Sequence, residues 1–366
     1  MKKDENAKEK QGRSSQKKPS YKELARLAKV SPATVSRIVR GHLNVDPDLR
    51  TRVREAAGVL GIDLDQKRNE KANIVAFLLA NRDLLHTFQA RILSGAEVYC
   101  ASHHRELLFM SFHYSPAVPA RELHLPRILG EPGIVRAVIL GGTNSPNMLT
   151  ALREREIPFT VLGNNVMGEW NSKDFDAVYS DDIQGAYDLT THLIAGGHRE
   201  IWFIGDVDLP WYARCARGYR ECMAAAGLRP RLSRIHTDDR QQGYLAMRSI
   251  LSKGEPITAV FAGSDQIARG VYEAVQQAGL RIPDDISIAG FNDTEGDLMF
   301  PPLTSVREFP ETLGKHMAES VLKRIQHPER PALQITIPTQ LVIRQSTRAI
   351  SGQKASDIVH AGAAEI

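Results

Sequence analysis

The sequence is short of cysteine and of aromatic residues, and it lacks long apolar runs. Three cysteines, Cys100, Cys215 and Cys222, are spread over 366 residues with no CxxC or metal-ligand spacing. That excludes a disulfide framework and a thiolate metal site, so the three are read as reduced thiols. No apolar stretch approaches the ~18–20 residues needed to span a bilayer. The charged N-terminus has no apolar segment of the signal-peptide kind. A membrane partner is therefore excluded, and a cytoplasmic location is expected. Catalytic signatures are missing as well: there is no GxSxG elbow, no HExxH, no P-loop and no GxGxxG on a strand-to-helix turn. His103, His104 and His192 have no partner at ligand spacing. His198, in GGHR, reads as a helix-end residue whose charge, if present, suits the helix C-terminus. The chain is read as neither an enzyme nor a carrier of a metal or cofactor.

What is present is enough for two or three folded domains. The apolar fraction of 42% supports a sizeable core. The net charge of +4 says little alone, but Lys and Arg are concentrated in the first 60 residues. Residues 1–19 lack large apolar side chains after Met1 and are expected to be a disordered basic tail. Its Lys17 and Lys18 lie just before the first helical pattern.

The stretch Ser20 to Gly61 is the most informative. Ser20 is a good N-cap, with Glu23 three residues on to complete a capping box. Leu24, Ala25, Leu27 and Ala28 form an apolar stripe at helical spacing. Lys29 and Val30 make a turn. Ser31 caps a second helix with Pro32 at its first position, continued by Ala33, Val35, Ile38 and Val39, with Gly41 as a stop. A third helix runs from about Pro47 to Leu60, with Val53, Ala56, Ala57 and Leu60 inward. This is a helix-turn-helix with a supporting helix, expected over residues 20–62. In such a unit the second helix enters the major groove of double-stranded DNA. Pro32, Ala33 and Arg37 project from its exposed face. Arg37 can donate two hydrogen bonds to guanine, and Pro32 and Ala33 offer apolar contact to a thymine methyl. Ser20, Ser31, Thr34, Ser36, Arg40 and Asn44 are placed for phosphates.

At these residues, in the ordered string LAxxAxVSxATVSRxxxG, the chain resembles the lactose-repressor (LacI/GalR) family of bacterial transcription regulators. The match runs from Tyr21 to Gly61, and Tyr21 joins the DNA-contact set that the resemblance implies. Lys29 stands where many members carry Gly, at the cost of some left-handed strain. After Gly61 the sequence departs from the family. Residues 63–73 are expected to be a linker or short hinge, but they lack the Leu that wedges into the minor groove. A hinge helix over Gln66–Lys71 and a plain tether are both open readings. Fully extended, Asp63 to Asn73 reaches about 36–40 Å at most.

From Ile74 strands alternate with helical patterns, which implies parallel sheets. Strands are expected at 74–80, 106–112, 134–142, 158–164, 177–182, 200–206, 257–265 and 286–293. Helices are expected at 89–103, 184–195, 216–226 and 266–278. The strings VILGGT, HLIAGGHREIWFIG, ITAVFAGSDQIARGVYEAVQQAGLRIPDDISIAGFND and PPLTSV again resemble the family. They imply an α/β sensor domain over 74–348 with the two-lobed fold of periplasmic binding proteins. By that resemblance the N-lobe takes 74–176 and 307–336, and the C-lobe takes 177–306 and 337–348. Residues 349–366 read as a disordered tail without a Leu heptad, so a homodimer is expected.

Ligands of such folds sit beyond the carboxyl ends of strands, between the lobes. The expected rim includes Asn81, Arg82, Thr143, Asn144, Asn164, Asn165, Ser264 and Asn292, and a loop DVDLPWYAR over 206–214. Asp265 and Asp293 look like helix caps. Matched to the family, the ligand-clamping Arg is here Cys215, with Arg214 one place off. The acid after Gly-Phe is Asn292, the stacking aromatic is Asp238, and an Asn near a helix cap is Ser264. Trp211 and Tyr212 could supply a stacking face, or Trp211 could pack under its loop.

The reading is a sequence-specific DNA-binding transcriptional regulator of repressor type, cytoplasmic and at the nucleoid. It is expected to bind a pseudo-palindromic operator as a dimer, under control of a small molecule in the cleft. Two alternatives stay open: the same regulator without an effector, constitutive or protein co-regulated, and a cytoplasmic sugar-binding protein.

Overall fold

The structure is a computed structural model that describes residues 21–39, 45–62, 74–82, 86–131 and 133–350. The expectations placed on Ser20, Arg40, Gly41, Asn44, the 63–73 linker and the tails 1–19 and 351–366 lie outside these residues. The chain forms two compact units, one containing the head and one that begins at Ile74.

The head has three helices, α1 (Tyr21–Ala28), α2 (Pro32–Val39) and α3 (Pro47–Val59). Leu24, Ala25, Ala28, Val35, Val39, Val53, Ala56 and Ala57 form its core. Leu27, expected inward, is 46% exposed. At 100° per residue, positions 24, 25 and 28 share one arc and 27 falls outside it. Leu60 caps α3 and is half-buried. The turn between α1 and α2 puts Lys29 at φ 52, in the left-handed region. Arg52 of α3 donates to the carbonyls of Ala28 and Lys29 at 2.8 and 3.0 Å. A cation thus satisfies carbonyls left over at the end of α1.

The second unit holds two six-stranded sheets. In chain order its elements are β1 (Ile74–Ala80), α4 (Thr87–Ser102), β2 (Glu106–Phe112), β3 (Val135–Gly142), α5 (Pro146–Glu154), β4 (Phe159–Leu162) and β5 (Asp176–Ser180). Then come α6 (Asp182–Ala195), β6 (Ile201–Ile204), α7 (Pro210–Ala225), β7 (Arg231–Leu232), α8 (Asp239–Ser252), β8 (Ala259–Ala262) and α9 (Asp265–Gln277). The chain closes with β9 (Ser287–Asn292), β10 (Thr304–Arg307), α10 (Pro310–Gln326), β11 (Gln334–Ile337) and β12 (Gln340–Val342). One sheet runs β11-β5-β4-β3-β1-β2 and the other β12-β10-β9-β8-β6-β7. The pairings β1–β2, β3–β4, β4–β5, β5–β11, β6–β7, β6–β8, β8–β9 and β9–β10 are parallel, and β10 with β12 is antiparallel.

The chain passes between the lobes three times. The first passage follows β5, because β5 pairs with β4 and β11 in the first sheet. It therefore lies past 180, not at 177. The second falls after β10, at Glu308–Phe309, and the third between β11 and β12. Phe309 sits at φ 54, an uncommon backbone for an aromatic residue. Helices α5, α8 and α10 were not expected from the sequence. Helix α7 starts at Pro210, six residues before the expected 216, because Pro is well suited to a first helical turn.

His198 is 1% exposed, between Thr258 Oγ1 (3.0 Å) and the Arg348 carbonyl (3.1 Å). Burial pushes its pKa down to about 4. It is a neutral core residue and not the helix-end charge expected of it. All three cysteines are free and buried. Among the described residues no helix is long and apolar enough to cross a membrane.

Candidate functional site

Two sites merit description, one in each unit. In the head, the Ser31 Oγ accepts from the Thr34 backbone N–H at 3.0 Å and lies 2.8 Å from Thr34 Oγ1. The cap fixes the start of α2. Buried Val35 and Val39 hold its inner face to the core, leaving Pro32, Ala33 and Arg37 exposed together. Thr34 and Ser36 are half-buried beside them. Arg37 has no recorded ion pair among the described residues, so its guanidinium is free to meet a partner. Tyr21 begins α1.

In the second unit a cavity lies between the lobes. Its mouth is closed by side chains that meet across the cleft. The Arg82 guanidinium sits 4.4 Å over the Trp211 ring. His86 Nε2 is 3.9 Å from Asp239 Oδ2. Thr87 Oγ1 donates to Glu295 Oε1 at 3.1 Å. Tyr212 Oη donates to Asp239 at 2.6 Å, and Ser264 Oγ donates to the same oxygen at 3.1 Å. Burial pushes the Asp239 carboxyl up, but His86 and the Tyr212 hydroxyl more than offset this and hold it below the usual range.

The floor is built where the chain changes lobe. Asp182, the first residue of α6, receives Arg214 Nε at 2.7 and 2.9 Å and Asn164 Nδ2 at 2.6 Å. Asn164 is itself tied to the Ser180 backbone at 2.9 Å on both sides. Glu308, at the second passage, accepts from Asn292 Nδ2. Burial, then its negative neighbours Asp182 and Asp265, push Glu308 up to about 8. Burial likewise pushes Asp182 up to about 6, although Arg214 opposes it. Phe88, Leu162 and Phe291 complete an apolar wall. The space left is about 30 Å³, room for a water or two.

The structure brings Arg82, Asn164, Trp211, Tyr212 and Asn292 to this cavity. Trp211, Tyr212 and Arg214 stand on the first turns of α7 and not on a loop. Trp211 presents its ring to Arg82. Arg214 is one step behind, holding Asp182. Ser264 is also behind the wall, where it caps α9. Asn81, Thr143 and Asn144 do not line the cavity. Asn81 Oδ1 accepts from the Tyr114 N–H at 2.9 Å, and Asn144 Nδ2 donates to the Gly141 carbonyl at 2.9 Å. Asp238 is exposed and caps α8 through the Gln241 N–H. The neighbouring Asp239 is the residue that reaches inward, since a cap must point along the helix and the next position points to the core. Asp265 and Asp293 are not caps of their own helices. Asp265 accepts from the Thr294 and Glu295 N–H groups and from Ser305 Oγ. Asp293 is clamped by Arg307 and Arg344, each at 2.6 Å. His86, Gln89, Asp182 and Glu308 went unnoticed in the sequence. Glu308 alone carried a signal, as an acid directly after the strand that ends in SVR.

A profile for bacterial regulatory proteins of the lacI family matches residues 20–61, and one for a periplasmic binding protein-like domain matches residues 190–347. The chain is 28% identical over 341 residues to the catabolite control protein A of Priestia megaterium, covering 89% of this chain and 98% of that protein. It is 27% identical over 340 residues to the HTH-type transcriptional repressor CytR of Escherichia coli strain K12, covering 90% and 97%. Among solved structures, a complex of the transcriptional regulator CelR with cellobiose aligns with a TM-score of 0.66 and 27% identity, over 90% of this chain and 99% of that one.

Proposed function

The chain belongs to the lacI family of bacterial regulatory proteins, and on that premise we propose how it regulates transcription. It is a DNA-binding transcriptional regulator of repressor type. The N-terminal half of α2 enters the major groove, with Arg37 on a guanine and Pro32 and Ala33 against neighbouring bases. Ser31 and Thr34 set the helix start beside the phosphates. The working form is a cytoplasmic homodimer, which places one α2 in each of two successive major grooves of a pseudo-palindromic operator. The observation that carries this is the exposed Arg37, unpaired among the described residues, on a helix whose opposite face is locked into the head core. Sedimentation of the protein with an enriched duplex tests it: two chains per duplex are expected, and one chain per duplex would refute the dimer.

A small molecule between the lobes adjusts DNA binding. The cavity's polar floor and aromatic wall support this reading, and couplings of this kind are about 1–3 kcal/mol. CelR, a relative, has been solved with cellobiose. A second reading, a regulator without an effector, is favoured by one observation: the cleft is already filled by its own side chains to within about 30 Å³. A ligand must displace Arg82 from Trp211 to enter. Trp211 fluorescence separates the two readings. It should change on binding of an effector at the cleft and stay constant across metabolite pools if there is none.

A further inference from the structure

We propose that the ligand of the interlobe cavity carries a protonated amine on a hydroxylated frame, with the ammonium on the Glu308 carboxylate and a frame oxygen accepting from Gln89 Nε2. The inference rests on the reading of the cavity as an effector site.

Charge at the floor does not balance. Asp182 is matched by Arg214, and Asp293 by Arg307 and Arg344. Glu308 is 6% exposed, and the partners it has are neutral, the amide of Asn292 and the hydroxyl of Ser180. No ion pair reaches it among the described residues. A buried carboxylate without a cation is costly, and the group responds by holding its proton. A compact ammonium entering the cavity would let Glu308 release that proton to solvent and pair with the ammonium as a carboxylate. A neutral hydroxyl would supply only a hydrogen bond.

An independent observation on the same cavity also points to a ligand. Gln89 is 0% exposed, and its Oε1 accepts from the Gly142 N–H at 3.0 Å. Its Nε2 is buried without a partner, although the side chain lines the cavity. Buried donors are nearly always satisfied, so an acceptor oxygen is missing from that wall. Arg82 Nε is orphaned in the same way. The indole face of Trp211 already holds a cation, the Arg82 guanidinium, and an electropositive ligand face can replace it there.

Isothermal titration of the full-length protein with matched pairs tests this: glucosamine with glucose, galactosamine with galactose, mannosamine with mannose. At least one amine should bind about tenfold or more tightly than its neutral parent. Glu308→Gln should bring that ratio to about one while operator binding persists, which shows the variant folded. Gln89→Leu should weaken both members of the pair together, since it removes the shared oxygen contact. Equal or stronger binding of the neutral sugars would overturn the amine assignment and leave the cavity as an effector site. An amine preference that survives Glu308→Gln would also overturn it. No binding by any member of the panel would overturn the amine assignment, and the Trp211 fluorescence response to metabolite pools then decides the effector reading by itself.

Discussion

Single side chains carry most of the chemistry. Arg37 is exposed on α2 and unpaired among the described residues, so Arg37→Ala should weaken operator binding by about 1–3 kcal/mol and relax preference at one base pair per half-site. Anisotropy titrations on single-base variants of the operator would show this. A uniform loss on every sequence would make Arg37 a phosphate contact. Glu308 makes a prediction about pH. Its carboxyl is pushed from 4.5 up to about 8 in the folded protein. The stability this confers is complete below the ordinary value and is lost as pH rises through about 8. Thermal melts should therefore decline between about pH 5 and about pH 8, and Glu308→Gln should flatten the decline. A parallel decline in the variant would move the cause elsewhere. Arg214→Ala should cost about 3 kcal/mol, because it strands a buried carboxylate at Asp182, and urea denaturation would measure the loss. At this scale the sequence was only half legible. Arg82, Trp211 and Asn292 were visible as cavity residues because polar and aromatic groups after strands are conspicuous. Gln89 and Glu308 were not, because only the packing of α4 and the second passage between lobes turns them inward.

Elements were far easier to read, and the reasons are local. The head shows its caps and apolar stripe within forty residues, and α2 begins at Pro32 as its Ser-Pro start dictates. The apolar strands β1, β3, β8 and β9 stand where unbroken apolar runs end in Gly or Asn. Helices α5 and α10 were missed because no side chain caps their starts, and α8 was missed although Asp238 caps it. Helix α10 packs on α4 through glycine. A Cβ at Gly314 of α10 would run into the Ile92 carbonyl of α4, and one at Gly95 of α4 into the Glu311 backbone. Replacing Gly by Ala inside a helix normally gains about 0.5–1 kcal/mol. Here the sign should reverse, with Gly314→Ala losing about 1–3 kcal/mol by overpacking. A raised melting temperature for that variant would show that the helices can separate at little cost.

For the whole molecule, the lobes were visible in the alternation of strands and helices, but their junctions were displaced. The first lies past Ser180 because β5 belongs to the first sheet, between β4 and β11. Junction positions depend on which sheet edge a strand joins, and local sequence holds little of that. Two of the three passages lie beside the cavity floor: Asp182 follows the first and Glu308 opens the second. A ligand on Glu308 would therefore act on the segments about which the lobes move. The central claim remains the reading of DNA by α2. In-vitro selection of random duplexes by the full-length protein and by Arg37→Ala, at one stated salt concentration, tests it most directly. The account predicts a pseudo-palindrome with two similar half-sites for the native protein, and loss of one guanine per half-site for the variant. Enrichment of the same sequence by both proteins, or of none by the native one with or without cell extract, would contradict it.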